Sequence, residues 1–228
     1  MRLRVATYNI HRCIGRDGFE DPDRIADVLR RIHGDVIALQ EVAYDITGPV
    51  KILEDLARST GTEVIAGPTL LEEKGQYGNA LLTRIRPVGV RRLNISVPGR
   101  EPRGALAMEL GIGGRTVRIA ATHLGLRPGE RRFQVRRLLT LLDPKAADVT
   151  IVLGDFNEWY LWARPLRWLT RRLGALPALP TFPSHRPLLA LDRIWVHPPE
   201  SVIRLRLHCS KKAAMASDHL PLVADLRI

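Results

Sequence analysis

Residues 149–159, VTIVLGDFNEW, decide how the rest of the chain is read. Val149 to Leu153 is a run of β-branched and aliphatic residues too short for a helix, so it predicts a buried strand. Gly154 breaks the run, and Asp155, Phe156 and Asn157 follow where that strand is expected to end. On an extended or turning backbone, Asp155 and Asn157 put a carboxylate and a carboxamide on one side. The carboxylate can accept a proton or face a metal, and the amide can donate to an anionic oxygen. That pairing suits hydrolysis, although an Asp after Gly is as commonly a turn residue or a helix N-cap. Recurrence favours chemistry, because polar residues of the same kind stand at other strand ends.

Outward from this stretch, the chain alternates strands and helices. Arg2 to Ile10 predicts a first strand ending in Tyr8-Asn9-Ile10-His11, and Cys13 to Glu20 a loop. Asp21-Pro22 opens a helix whose apolar positions Ile25, Val28, Leu29 and Ile32 recur at helical spacing, with Gly34 as its stop. Asp35 to Leu39 is a second buried strand that delivers Gln40 and Glu41 at its end. A Glu placed there is equally a solvated residue or a cap for the helix expected near 49–59. After 63–66 and a polar loop at 72–76, strands are expected at 78–84, 88–95, 105–110 and 115–122. Short turns containing Gly or Pro join them, so they read as antiparallel hairpins with the 88–95 and 105–110 strands beside the 78–84 strand. βαβ units combined with a β-meander indicate a layered α/β fold and exclude a purely parallel doubly wound sheet.

His123 ends the 115–122 strand, where a lone His is as readily a structural residue as an acid or base. A helix is expected over 128–142, with Val135, Leu138, Leu139 and Leu142 buried and Glu130, Arg131, Arg132, Arg136 and Arg137 largely on a solvated face. In 159–173, Trp159, Tyr160, Trp162 and Trp168 are interleaved with Arg164, Arg167, Arg171 and Arg172. Such a mixture can stack bases or sit at a lipid headgroup boundary. The alternative, slightly favoured, is that the tryptophans anchor a short helix to a sheet. Leu191-Asp192 opens a strand at 191–196, 202–207 is expected as its neighbour, and Ser217-Asp218-His219 precedes the last strand at 222–226.

A length of 228 residues fits one core, and no linker, repeat or low-complexity stretch divides it, so residues 1–228 are read as a single α/β domain. The N-terminus lacks the apolar region of a signal peptide, and no run reaches membrane-span length. Cys13 and Cys209 follow no metal-ligand or disulfide pattern, which makes a reduced, cytoplasmic setting the simplest expectation. The net charge of +11 suits a partner bearing phosphates: nucleic acid, an anionic membrane surface or a small phosphorylated substrate. Lys stands only at 51, 74, 145, 211 and 212, so nearly all of that charge is Arg, a skew that codon composition also produces.

Asn9, Glu41, Asp155, Asn157, Asp192 and Asp218, with His123 and His219, all fall where apolar strands begin or end. Strand ends of a layered fold converge on one rim, so these residues could share a cleft. Oxygen ligands with few His and no Cys suit Mg²⁺ or Mn²⁺ better than Zn²⁺. In order along the chain, TYNIH, IALQEV, YGNALLTR, ATHLGL, LGDFNEW, LDRIWV and SDHLPLVADL closely resemble the motif series of the endonuclease/exonuclease/phosphatase superfamily. That group includes pancreatic deoxyribonuclease, apurinic endonucleases, bacterial sphingomyelinases and inositol polyphosphate 5-phosphatases. The resemblance spans about residues 4 to 226.

The resemblance implies a four-layer sandwich: two packed mixed β-sheets with helices outside. It also implies in-line attack of water on phosphorus with no covalent intermediate. Glu41 would be the main Mg²⁺ ligand, with Asn9 close by on metal-bound water or phosphate, and Asp218 near the metal or a second ion. Asp155 would orient or deprotonate the attacking water, and Asn157 would hydrogen-bond the transition-state oxygens. His219, paired with Asp192, would bind the phosphate or act as general base. His123 matches the branch with His where apurinic endonucleases carry Tyr, and would donate to a phosphoryl oxygen or the leaving group. Secreted deoxyribonucleases support that His with a Glu, and Tyr77-Gly78-Asn79 offers no equivalent. The expected activity is a Mg²⁺-dependent phosphodiesterase acting on nucleic acid. A phospholipid or sphingolipid phosphodiesterase, a small-metabolite phosphatase and a silent phosphate-binding scaffold are the alternatives.

Overall fold

The computed structural model describes residues 1–44, 51–68, 76–142 and 146–228. Strand β1 (Arg2–Asn9) pairs in parallel with β2 (Val36–Tyr44), and helix α1 (Pro22–Ile32) makes the crossover between them. Asp21 caps α1 by accepting the Arg24 N–H at 2.9 Å, and Pro22 supplies the fixed φ of a first helical turn. His33, not Gly34, takes the left-handed position that ends the helix (φ 51°). Next come α2 (Lys51–Thr60), β3 (Glu63–Pro68) and β4 (Gln76–Thr83). With β10 (Val202–Leu207) and β11 (Leu222–Arg227) they complete a six-stranded sheet in the order β10-β11-β1-β2-β4-β3. Apart from Gln76, which opens β4, the polar loop expected at 72–76 lies outside the described residues.

A five-stranded sheet carries β5 (Gly89–Asn94), β6 (Gly104–Ile112), β7 (Arg115–His123), β8 (Val149–Asp155) and β9 (Asp192–His197) in that order. The expected pairing of the 88–95 and 105–110 strands with 78–84 is therefore corrected. So is that of 202–207 with 191–196, since β10 pairs with β11 in the larger sheet while β9 pairs with β8 in the smaller. β4 lies between β2 and β3, and the chain changes sheets after Thr83 before β5 starts. Both edges of β4 are already hydrogen-bonded, to β2 and to β3, so none is left for β5. By alternation, Leu81 of β4 faces the opposite sheet while Ala80 and Leu82 face helices.

Three apolar layers follow from the same alternation. Between the sheets, Leu3, Val5, Val36 and Ala38 meet Met108, Ile119, Ile151 and Leu153. On the outer face of the larger sheet, Ala6, Tyr8, Ile37 and Leu39 pack against α1, α2 and the short α5 (Lys211–Ala216). On the outer face of the smaller sheet, Val152, Phe156 and Trp195 pack against α3 (Pro128–Leu139) and α4 (Arg164–Leu173). The result is the expected four-layer α/β/β/α sandwich. It also explains why β8 is a continuous apolar run: every one of its residues is buried, with odd positions facing one core and even positions the other.

Two local details re-aim the strand ends. Gly154 does not end β8, which continues to Asp155. A Cβ at Gly154 would lie 1.9 Å from the Thr122 carbonyl oxygen of β7, and its φ of 146° disfavours other residues, so glycine permits a close strand approach. β2 likewise does not stop at Leu39. It runs to Tyr44 with an irregularity in its pairing between Leu39 and Val42, and Glu41 sits in that bulge with φ 55°.

Candidate active site

The carboxyl ends of β1, β7 and β8, the bulge of β2, and the amino ends of β9 and β11 come together at one rim. Asn9 stands at its centre. Its Oδ1 accepts the His11 N–H at 3.0 Å, which turns its Nδ2 to donate to Glu41 Oε1 at 2.9 Å and Asp155 Oδ2 at 3.0 Å. The hydroxyl of Ser217 donates to the Asn9 carbonyl at 2.7 Å, tying β1 to the segment before β11. The other Asp155 oxygen accepts the Asn157 N–H at 2.8 Å across a tight turn in which Asn157 has φ 48°. Glu41 and Asn157 thus both hold left-handed backbone inside the cleft, the strained placement that functional sites tolerate.

His219 and Asp192 form the second arm. His219 Nδ1 lies 2.7 Å from Asp192 Oδ2, and its Nε2 lies 3.8 Å from Asp155 Oδ2. Burial alone would favour the neutral ring. The Asp192 and Asp155 charges outweigh it and push the imidazole pKa up to about 10. Asp155, only 1% exposed, is also shifted upward, which for a carboxylate favours the neutral form. Burial raises its pKa to about 6, and the negative charge of Asp192 adds to the rise while His219 and the Asn157 and Asn9 hydrogen bonds oppose it.

His123 forms the third arm, and its partner was not legible in the sequence. Arg103, itself buried, places its Nη1 2.9 Å from His123 Nδ1 and bonds Glu101 at 2.7 Å through Nη2. A guanidinium only donates, so Nδ1 must present its lone pair and the ring proton resides on Nε2. Burial first, then the Arg103 charge, drives the His123 pKa well below the usual histidine value. The Nε2–H faces the cleft, 3.6 Å from Asp155 Oδ2 and 4.0 Å from Glu41 Oε1. Asn157 Nδ2 comes within 3.0 Å of it while donating to the Leu124 carbonyl at 2.8 Å. In that tautomer the Asn157 amide and the ring N–H meet donor to donor, a contact that an acceptor oxygen lying against both would relieve. An arginine against this ring favours a neutral donor over a protonated acid.

The rim therefore brings together seven of the eight expected residues: Asn9, Glu41, His123, Asp155, Asn157, Asp192 and His219. Asp218 is half-buried at its edge, 3.3 Å from the Ser217 hydroxyl. Reading the sequence missed Arg103 and Ser217. Ser217 lay within the quoted SDHLPL motif, whereas nothing distinguishes Arg103 among so many arginines.

The donor set fits a hard divalent cation. Glu41 and Asp155 offer carboxylate oxygens held by one amide, and buried Asp192 Oδ1 lacks a hydrogen-bond partner among the described residues. Asp155, Asp192 and His219 also present ligand atoms within 4.8 Å of one another. Because Asp192 and His219 are already bonded to each other, Glu41 and Asp155 are the better seat.

Sandwich, rim and donor set define a phosphohydrolase-type site, and sequence comparison agrees. The chain belongs to the Endonuclease/Exonuclease/phosphatase family, whose profile matches residues 6–219. Members of that family hydrolyse phosphate esters. The chain is 29% identical to the uncharacterized protein YbhP of Escherichia coli (strain K12), over 99% of this chain and 96% of that protein. The structure of an endonuclease/exonuclease/phosphatase from Beutenbergia cavernae superposes with a TM-score of 0.81 at 24% identity, covering 100% of this chain and 72% of that one. The human Nocturnin catalytic domain with bound sulfate superposes with a TM-score of 0.74 at 22% identity, covering 99% and 94%.

Proposed function

We propose that this protein is a divalent-cation-dependent phosphodiesterase, working as one unit over residues 1–228 in a reducing, cytoplasmic setting. The observation that carries the chemistry is the Asn9 amide joining Glu41 to Asp155, within reach of the Asp192–His219 pair. Mg²⁺, or Mn²⁺ in its place, would be held by Glu41 and Asp155 with Asn9 beside them and Asp218 at the edge. Its contribution is to polarise the phosphoryl oxygens and offset the charge that builds on the leaving group.

The chain's own residues supply the rest. Asp155, hydrogen-bonded on both oxygens, orients the attacking water. His219, held positive by Asp192, binds a phosphate oxygen. The convergent N–H groups of His123 and Asn157 meet the oxygen that gains charge in the transition state. Turnover of bis-p-nitrophenyl phosphate with Mg²⁺ or Mn²⁺, and its loss in EDTA or in Asp155→Asn, is the direct test. Equal turnover in EDTA would reject the cation-dependent reading, and unchanged turnover in the variant would reject the role given to Asp155.

The nucleic-acid expectation rests on the +11 charge. Ion pairs such as Arg4–Asp225, Arg24–Asp21, Arg118–Glu109 and Arg131–Glu158 cancel within that sum, so the excess is carried by other basic residues. One observation favours the lipid reading instead: the aromatic residues that follow Asn157 are exposed.

A further inference from the structure

Trp159, Tyr160, Leu161 and Trp162 are 63%, 58%, 56% and 71% exposed, so they do not anchor a helix to the sheet as the sequence suggested. Only Trp168, on α4 itself, packs on the core, beneath the Arg136 guanidinium at 5.0 Å. The four exposed residues form a turn between Asn157 and α4, closed by the Ala163 N–H donating to the Tyr160 carbonyl at 3.0 Å. Leu126, 70% exposed, belongs to the same patch. The buried Arg131 donates to Glu158 at 2.9 Å and to the Leu126 carbonyl at 2.5 Å, clamping the two segments together. Both segments leave the active site directly, one after His123 and the other after Asn157.

The surroundings of this patch are positive. Arg127, Arg132 and Arg136 on the α3 side and Arg164 and Arg167 on α4 are exposed. The acidic residues of 124–142 and 157–173 are Glu130 and Glu158, and both are buried, Glu158 in its pair with Arg131. An apolar, Trp-bearing tip surrounded by arginines complements an anionic bilayer, with the tip among the acyl chains and the guanidinium groups at the phosphates. Base stacking fits less well. Two of the apolar side chains are leucines, and the Tyr160 and Trp162 rings lie 5.5 Å apart at 45°, leaving no parallel slot for a base.

We propose that the 159–162 turn, with Leu126, is a membrane-docking surface that seats the protein on anionic phospholipid with the active-site rim facing the headgroups. The substrate class that follows is the phosphodiester of a lipid headgroup, and that step alone rests on the phosphodiesterase reading above.

Docking is tested with the intact protein in EDTA, where turnover cannot contribute. Vesicles of phosphatidylcholine, with and without phosphatidylglycerol, are pelleted and tryptophan emission is recorded. The wild type should co-sediment with the anionic vesicles, with a blue shift. The Leu161→Ala/Trp162→Ala double variant should bind about tenfold or more weakly, with bis-p-nitrophenyl phosphate turnover unchanged. Absence of vesicle binding, or equal binding by wild type and variant, overturns the docking surface. Loss of binding to a single-stranded oligonucleotide in the variant, with no vesicle binding by either protein, overturns it in favour of base stacking. A protein that docks but never turns over bis-p-nitrophenyl phosphate keeps the surface and rejects the phosphodiesterase reading.

Discussion

Asp192→Asn is the sharpest single perturbation of the site. Asp192 is fully buried and its Oδ2 lies 2.7 Å from His219 Nδ1. The amide is nearly isosteric, so packing is retained while the charge and the acceptor-only character are lost. Asparagine can turn its NH₂ toward Nδ1, which forces the opposite tautomer, or its oxygen, which keeps the geometry without the charge. A charge-assisted hydrogen bond of this kind contributes about 1.5–3 kcal/mol, and 3 kcal/mol in the transition state equals roughly 10²-fold in rate.

The expected result is therefore a fall in kcat of about 10²-fold with KM little changed. It is read on bis-p-nitrophenyl phosphate at saturating Mg²⁺, with thermal denaturation run in parallel. The same pair sets a pH signature. The folded pKa of His219 is raised to about 10, so its contribution to stability is full below the unfolded value of about 6.5 and is lost as pH rises through the folded value. Metal-free parent protein should lose stability across that window, and Asp192→Asn should lose less. A variant within about threefold of the parent in kcat, with the same stability-versus-pH slope, would refute the reasoning.

Other consequences are equally checkable. Asp155 has a raised folded pKa of about 6, so in the metal-free protein its contribution favours folding at low pH and fades as pH rises through that value. A bound cation needs the ionised form. Mn²⁺ should therefore raise Tm more at pH 7.5 than at pH 5.0, and Asp155→Asn should abolish the difference. Replacing Gly154 by Ala drives a Cβ into the Thr122 carbonyl and should cost about 3 kcal/mol or more, seen as a Tm lower by roughly 6–12 °C; an unchanged Tm contradicts the close-approach argument. Arg103→Gln removes a positive charge from His123 and should raise the pH midpoint of that ring, followed by NMR. A midpoint that stays put would show that burial alone sets it.

The strands and their cores were readable because apolar runs such as Val149–Leu153 leave little choice of structure. Asp155 and Asn157 were readable because motif and strand end coincide. Glu41 was found without its bulge, since a bulge is a matter of pairing and leaves no pattern in a strand buried on both faces. The partner of β4 was misassigned for a related reason: consecutive strands usually pair, and nothing between Thr83 and Gly89 announces a change of sheet. Arg131 and Glu130, expected on a solvated face, are buried because one clamps the Leu126 and Glu158 segments and the other closes the first turn of α3 by accepting the Arg127 N–H. The exposure of Trp162 was hidden because aromatic residues look alike whether they fill a core or leave it. Arg103 acts through a neighbour far along the chain, a relation that only folding reveals.

A diffraction experiment on crystals soaked in Mn²⁺, with anomalous data collected near the metal edge, tests the central claim most directly. The account predicts a peak bonded to the Glu41 carboxylate and flanked by Asp155, at the side of the cleft that His123 and Asn157 face. A peak confined to the exposed acidic groups near Asp21 and Asp27, with density around Glu41 unchanged, would contradict it.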